Sequence, residues 1–268
     1  MVKRDNVISS GGRYLALSVI LIVMILPLAW MFYTSLSTSV GTDTGLTISN
    51  FVDLFSTMNL SRYLINSLVV GLVVTVGNIF FCFMVAYSLA RYRYLFNRLL
   101  FLAVIAVLMI PAHITIIPLY LLCLKTGLYD SYWALILPWL VNPIGIFLVK
   151  QYIEGIPPSM EEAARMDGAG ELRIVFRIVM PLCKPALAVL AIQVFFTNWN
   201  SFLFPFILTS SDSLRTLPVA LALFQGHQAI DWPHLMAGST VAVLPVLVLF
   251  IIMQRHIVSG ITAGAVRQ

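Results

Sequence analysis

Six apolar runs fill most of this chain, and polar positions are confined to the intervals between them. The runs cover residues 14–35, 63–89, 99–124, 132–149, 185–208 and 235–253, and none contains Asp, Glu, Lys or Arg. A helix needs about 20 residues to cross the bilayer hydrocarbon. Backbone in that medium has no water to bond, so each run predicts a spanning helix and not a strand. Prolines inside the runs (Pro27, Pro111, Pro118, Pro138, Pro143, Pro205, Pro245) predict kinks, which a packed bundle tolerates. The expected fold class is all-α, a polytopic membrane protein with six transmembrane helices. No tandem repeat and no linker divides the chain. Residues 1–268 are therefore expected to form a single membrane domain, with core spans over 63–253 and a peripheral first span at 14–35.

The long polar interval follows the fourth run. Its "PPSMEEAARMDGAG", residues 157–170, predicts a short helix. Ser159 stands as N-cap with Glu162 three residues on, the spacing of a capping box. Glu161 and Arg165 lie at i, i+4 with the acid first, the favourable order. Gly168, after Asp167, suits a left-handed C-terminal cap. A helix of about eight residues does not persist alone, so it must lean on a neighbour. "ELRIVFRIVM" predicts a second helix stopped by Pro181, with Leu172, Val175, Phe176 and Val179 on its apolar face. Ala163 and Ala164 leave the first helix open to close approach by another surface. The pattern fits a docking element, and equally an ordinary capped hairpin on the membrane surface.

Composition fixes the medium. The 268 residues are 60% apolar and 10% charged, with mean hydropathy +0.96. Soluble domains are about half apolar and about a quarter charged. The net charge of +5 comes from basic residues scattered singly beside the apolar runs, which argues against a nucleic-acid partner. With the N-terminus in the cytoplasm, Arg62, Lys125 and Arg215 lie outside and every other Lys and Arg lies inside. Both termini and the polar interval are therefore expected to be cytoplasmic. The first run exceeds a signal peptide's apolar stretch and no A-x-A site follows it, so an uncleaved span is expected. Cys82, Cys123 and Cys183 are far apart and odd in number, the pattern of packed interior residues.

Reactive chemistry is scarce. No G-x-x-x-x-G-K-[ST] occurs, so the chain does not hold ATP through a P-loop. No run carries the acidic residue that ion-coupled transporters use. Of four histidines only His113 lies at bilayer depth, with no Asp, Glu or Cys nearby for a metal site or a nucleophile–base pair. The chain is expected to be no enzyme and to take its energy from elsewhere. His113, with Asn198, Trp199 and Asn200 of "TNWN", forms the candidate solute path; the competing reading is that these groups join neighbouring helices.

The stretch "EEAARMDGAGELRIVFRIVMPL" resembles the EAA loop of binding-protein-dependent ABC importer permeases: E-A-A, three residues, G, nine residues, I-x-L-P. Glu162-Ala163-Ala164, Gly168, Ile178 and Pro181 carry the likeness, with Met180 in place of the leucine and Gly170 where a serine is usual. Residues 49–55, 184–208, 231–238 and 253–268 resemble the carbohydrate subfamily, specifically its MalG-like subunits, so the likeness covers most of the chain. It implies an inner-membrane permease subunit of an ATP-driven sugar or oligosaccharide importer. The implied partners are a MalF-like second permease, two cytoplasmic ABC ATPase subunits that bind ATP and Mg, and an extracytoplasmic sugar-binding protein. This chain itself would hold no cofactor. The loop at 151–184 would be the coupling element, with Ser159, Glu162, Ala163, Ala164, Arg165, Asp167 and Gly168 at the ATPase. The tail 259–268 resembles the family tail, which reaches toward the same interface. Two alternatives stand beside this: a stand-alone secondary transporter or channel, and an importer of glycerol-phosphate-type solutes, for which no span offers a basic residue.

Overall fold

The computed structural model describes residues 5–38, 45–224 and 231–265. The helices are α1 (Asp5–Ser35), α2 (Ser49–Thr57), α3 (Leu60–Arg91), α4 (Asn97–Leu108), α5 (Ile116–Thr126), α6 (Tyr132–Ile136), α7 (Pro143–Glu154), α8 (Ser159–Met166), α9 (Glu171–Leu182), α10 (Lys184–Trp199), α11 (Leu203–Leu208), α12 (Leu217–Phe224) and α13 (Trp232–Ala265). Among the described residues the only β pairing is an isolated bridge between Ser37 and Leu46.

Four segments, Gly12–Ser35, Leu60–Arg91, Tyr132–Glu154 and Trp232–Ile252, are long and apolar enough to cross a membrane. Two bent pairs, α4 with Ala112–Thr126 at 91° and α9 with α10 at 76°, bring the number to six when each counts as one span. The expected straight span at 99–124 is thus broken at Pro111, where a 3-10 turn (Ala112–Thr115) intervenes. The expected span at 185–208 ends at Trp199, and α11 follows as a separate helix. The expected span at 132–149 is interrupted by a 3-10 turn at Leu137–Trp139 and resumes at Pro143. Proline supplies the reason at two of these breaks. It has no N–H for the helical ladder and clashes with the preceding turn. The last helix absorbs Pro245 without a break. Of the tail 259–268, residues 259–265 end α13 and 266–268 lie outside the described residues.

The chain divides into two compact units. The first comprises Met1–Ser61 and Leu221–Leu244. Its α1 shows apolar side chains on every side, as a helix surrounded by lipid should. Buried Asn50 donates its amide to the carbonyls of Ser35 and Ser37 at 2.8 and 2.9 Å, tying α2 to the end of α1. Here the stretches at 49–55 and 231–238 meet. His234 Nδ1 lies 2.6 Å from Asp231 Oδ2, and its Nε2 lies 3.5 Å from Asp53 Oδ2.

The second unit comprises Arg62–Ala220 and Pro245–Gln268. Its core gathers Val74, Phe83 and Ala86 of α3, Val149 and Ile153 of α7, Ile174 and Val179 of α9, and Leu190 of α10, all fully buried. A polar joint sits inside it. Asn78 Nδ2 donates to Trp139 O at 2.9 Å, and Asn142 Nδ2 donates to Asn78 Oδ1 at 3.2 Å. Asn142 caps α7 by accepting from Gly145 N. These bonds satisfy the backbone that the break before Pro143 leaves open, which non-helical chain at membrane depth requires. Gly145 is needed for the fit: a Cβ there would meet Leu190 Cδ1 at 2.8 Å and Cys82 Sγ at 3.1 Å.

Candidate functional site

The polar loop builds one protruding helix and anchors it. α8 begins on Pro157 and Pro158, whose carbonyls accept from Met160 N, Glu161 N and Glu162 N at 3.0–3.2 Å. Ser159 is not the N-cap expected from the sequence. Pro158 takes that place with helical angles (φ −58°, ψ −26°) and no side-chain cap bond, so Ser159 is already inside the helix. A capping box needs an extended cap residue, and the fixed φ of proline starts the helix one residue too early for it. Glu161 and Glu162 in the first turn still favour the positive end of the helix dipole.

The other end follows expectation. Gly168 has φ +78°. Its N–H donates to Arg165 O at 3.0 Å, and Ala169 N–H donates to Ala164 O at 2.9 Å. These are the two bonds of a Schellman motif. Gly168→Ala should therefore cost about 1 kcal/mol, because a Cβ is disfavoured in the left-handed region. A downward shift of the thermal unfolding midpoint in detergent, absent for Gly170→Ala, checks it.

The anchor is Glu161, which is 2% exposed. Its Oε1 accepts from Arg91 Nε at 2.6 Å and its Oε2 from Tyr87 Oη at 3.0 Å. Arg91 Nη2 also donates to Ile156 O at 2.9 Å, just ahead of α8. The predicted partner of Glu161, Arg165, stands farther off at 3.9 Å. Arg165 instead grips Glu171 across the Gly168 turn, at 2.8 Å from Nε and 3.3 Å from Nη2. That side-chain hydrogen bond holds the Glu171 carboxyl below the usual carboxylate range. Tyr92 Oη adds a third contact to Glu171 at 3.2 Å. Tyr87 and Arg91 in the last turns of α3, with Tyr92 just after it, thus hold both helices of the loop.

Burial then separates the expected contact residues. Ala164 is buried against the core and is unavailable to a partner, contrary to the sequence expectation. Glu162, Ala163, Arg165, Asp167 and Gly168 are exposed, together with Ser159, Met160 and Met166. The face of α9 also differs. Ile174, Val175 and Val179 are buried, whereas Leu172 is 71% and Phe176 37% exposed. A π turn over Val175–Val179 shifts the helical phase, because its bonds reach five residues back. Pro181 sits in the last turn of α9, which ends one residue beyond it at Leu182, close to the expected stop. Met180 N–H bonds Val175 O and Cys183 N–H resumes at Val179 O, bracketing the donor that proline lacks.

The candidate path residues lie on different elements. His113 is exposed in the 3-10 turn between α4 and α5, its ring 6.0 Å from that of Phe204. Asn198 and Asn200, at the end of α10, donate to their own helix at Val194 O and Phe196 O, at 2.9 and 2.8 Å. Trp199 is buried and stacks on Phe195 at 5.6 Å. Among the described residues no group of three or more His, Cys, Asp or Glu is placed to hold a metal.

Sequence reasoning missed Tyr87 and Arg91 as site residues and gave Glu161 only its local partner. The signal available was a tyrosine and an arginine at i, i+4 closing an otherwise uncharged run.

Known proteins are similar to this chain in sequence. An arabino-oligosaccharide transport permease, AraQ of Bacillus subtilis, is 37% identical over 206 residues, 77% of this chain and 73% of that protein. The trehalose permease SugB of Mycobacterium tuberculosis is 34% identical over 253 residues, 91% of this chain and 92% of its own. The trehalose/maltose permease MalG of Thermococcus litoralis is 31% identical over 257 residues, covering 92% of each. A subunit in the crystal structure of a bacterial ABC transporter that imports alginate superposes with a TM-score of 0.81 at 22% identity, over 96% of this chain and 99% of that one, which shows a shared fold. Residues 78–263 match the model of one family over more than half of the chain, and the chain belongs to that family, the binding-protein-dependent transport system inner membrane components.

Proposed function

We propose that this permease is a membrane subunit of an ATP-driven importer of a sugar or oligosaccharide, and that α8 is its coupling helix, seated on a partner ATPase. The relatives named above for arabino-oligosaccharides, trehalose and maltose support the solute class. In this reading a second permease completes the path, two cytoplasmic ATPases bind ATP and Mg, and an extracytoplasmic binding protein delivers the solute. Both chain termini and the α8 loop lie in the cytoplasm.

One observation carries the coupling role. A buried ion pair fixes one side of α8 to α3, and the opposite side presents Met160, Glu162, Ala163 and Met166 to the outside. A helix held this way moves with the span it is tied to. ATP-driven closure of a partner then works on the permease if its two states place α8 differently. His113 is the path candidate with an exposed ring; Asn198 and Asn200 spend their amide donors on their own helix.

Glu162→Lys tests the docking face. Glu162 is exposed, so the variant should insert and accumulate as the parent does. Reversing its charge should lower ATPase co-purification by about tenfold or more, since like charges facing each other at an interface cost several kcal/mol. Normal assembly and normal ATP-driven uptake in proteoliposomes would sink the assignment. Uptake by the isolated chain without companions favours the stand-alone transporter instead.

A further inference from the structure

Two adjoining cavities at the end of α3 have opposite character. The first, about 560 Å³, is an apolar groove between α3, α4 and the start of α7, lined by Met84, Val85, Leu100, Ala103, Val107 and Pro143. The second, about 430 Å³, is lined by Arg93, Arg98 and Lys150, with Tyr94, Phe101 and Glu154. Leu89 and Tyr94 border both, so the two are neighbours. Tyr94 is fixed there by a 2.8 Å hydrogen bond to Ser88 Oγ on α3.

The charges of the second cavity are unequal in their commitments. Lys150 is buried, paired with Glu154, and stands 4.1 Å from the centre of the Phe101 ring. Arg93 and Arg98 are exposed, and among the described residues they make neither an ion pair nor a hydrogen bond. Arg91, two residues before Arg93, is by contrast fully engaged by Glu161 and Ile156 O. The cavity thus keeps two uncompensated guanidinium groups, which suit the planar recognition of a phosphate.

Position decides the occupant. Arg93 follows the last turn of α3 and Arg98 lies in the first turn of α4, at one end of the apolar segments, and the apolar groove runs from there beside the spanning residues. An ordered pair of this kind, charge at the surface and hydrocarbon beneath, has the polarity of a phospholipid. We propose that this site binds an anionic phospholipid, its phosphate between Arg93 and Arg98 and an acyl chain in the groove of α3 and α4. The site depends on the membrane location alone and is independent of the coupling role of α8.

The test uses the full-length chain, purified in mild detergent with whatever subunits accompany it, and native mass spectrometry with added phosphatidylglycerol or phosphatidylcholine. Phosphatidylglycerol should be retained in preference, and Arg93→Gln/Arg98→Gln should weaken it by about thirtyfold while weakening phosphatidylcholine, whose choline offsets the phosphate charge, far less. Ala103→Trp, which fills the groove with both arginines intact, should also reduce phosphatidylglycerol retention. Millimolar inorganic phosphate should not displace the lipid. Equal retention of the two lipids overturns the proposal, as does a double variant that binds like the parent. Displacement by phosphate reduces the site to an anion pocket and also overturns it, and crosslinks that place a companion polypeptide over Ala103 and Val107 do the same. None of these outcomes bears on Glu162→Lys, so the two readings fail separately.

Discussion

Glu161→Ala is expected to release α8 from the bundle while leaving the spans in place. The change leaves Arg91, whose side chain is 11% exposed, without its ion partner and Tyr87 Oη without its acceptor. Removing one member of a buried pair costs about 3–5 kcal/mol, far above the about 0.5 kcal/mol of an exposed i, i+4 pair. That difference decides which contact of Glu161 matters: the pair with Arg91, and not the nearer sequence neighbour Arg165. The loss should be local, because an eight-residue helix has little stability of its own. Amide hydrogen exchange across Ser159–Met166 should rise by about a hundredfold or more. In the assembled transporter, ATP hydrolysis should continue while ATP-driven uptake falls. Arg91→Ala should reach the same phenotype, and the double variant should cost well below the sum of the two. Glu161→Gln keeps an acceptor for Tyr87 and should fall between. Unchanged protection of α8 in Glu161→Ala would rule out the latch.

Asn78→Leu should be the most damaging conservative-volume change inside the spans. Asn78 is 1% exposed and serves three groups at once: Trp139 O, Asn142 Nδ2 and Cys82 Sγ. Polar contacts between membrane helices average about 0.6 kcal/mol, because the released groups usually find other partners. Here one of those groups is a backbone carbonyl at a helix break, and the loss leaves it unsatisfied at about 1–3 kcal/mol, with a similar term for the Asn142 amide. The second account should prevail, at about 2–4 kcal/mol in total. Thermal unfolding in detergent measures it, with Asn198→Leu as control, since Asn198 bonds only within its own helix at Val194 O. If the two variants unfold at the same temperature, the joint at Asn78 is not structural.

The legible parts of the fold share a property: each depends on residues close in sequence. The apolar runs needed only hydrocarbon length, and Gly168 needed only a backbone conformation that a side chain resists. The breaks were less legible. Prolines marked Pro111 and Pro138 as weak points, but the same residue at 245 lies inside an unbroken helix. The difference lies in what receives the freed backbone groups. At the break before Pro143 Asn78 and Asn142 do so, and Asn78 is 61 residues from its Trp139 partner. The face of α9 was legible only in part, for a related reason. A 3.6-residue period selects Leu172, Val175, Phe176 and Val179; Val175 and Val179 are buried as expected, but across the π turn Ile174 joins them while Leu172 and Phe176 face outward.

By itself the sequence determined the medium, the helical class, the apolar runs and the turn at Gly168, since these follow from transfer energy and local sterics. Tertiary structure alone decided which of two neighbouring carboxylates anchors α8 and which faces outward. Glu161 and Glu162 are the same residue type about 100° apart around one helix. Only the position of Tyr87 and Arg91, 74 and 70 residues away in the chain, turns the first inward to a buried pair and leaves the second exposed.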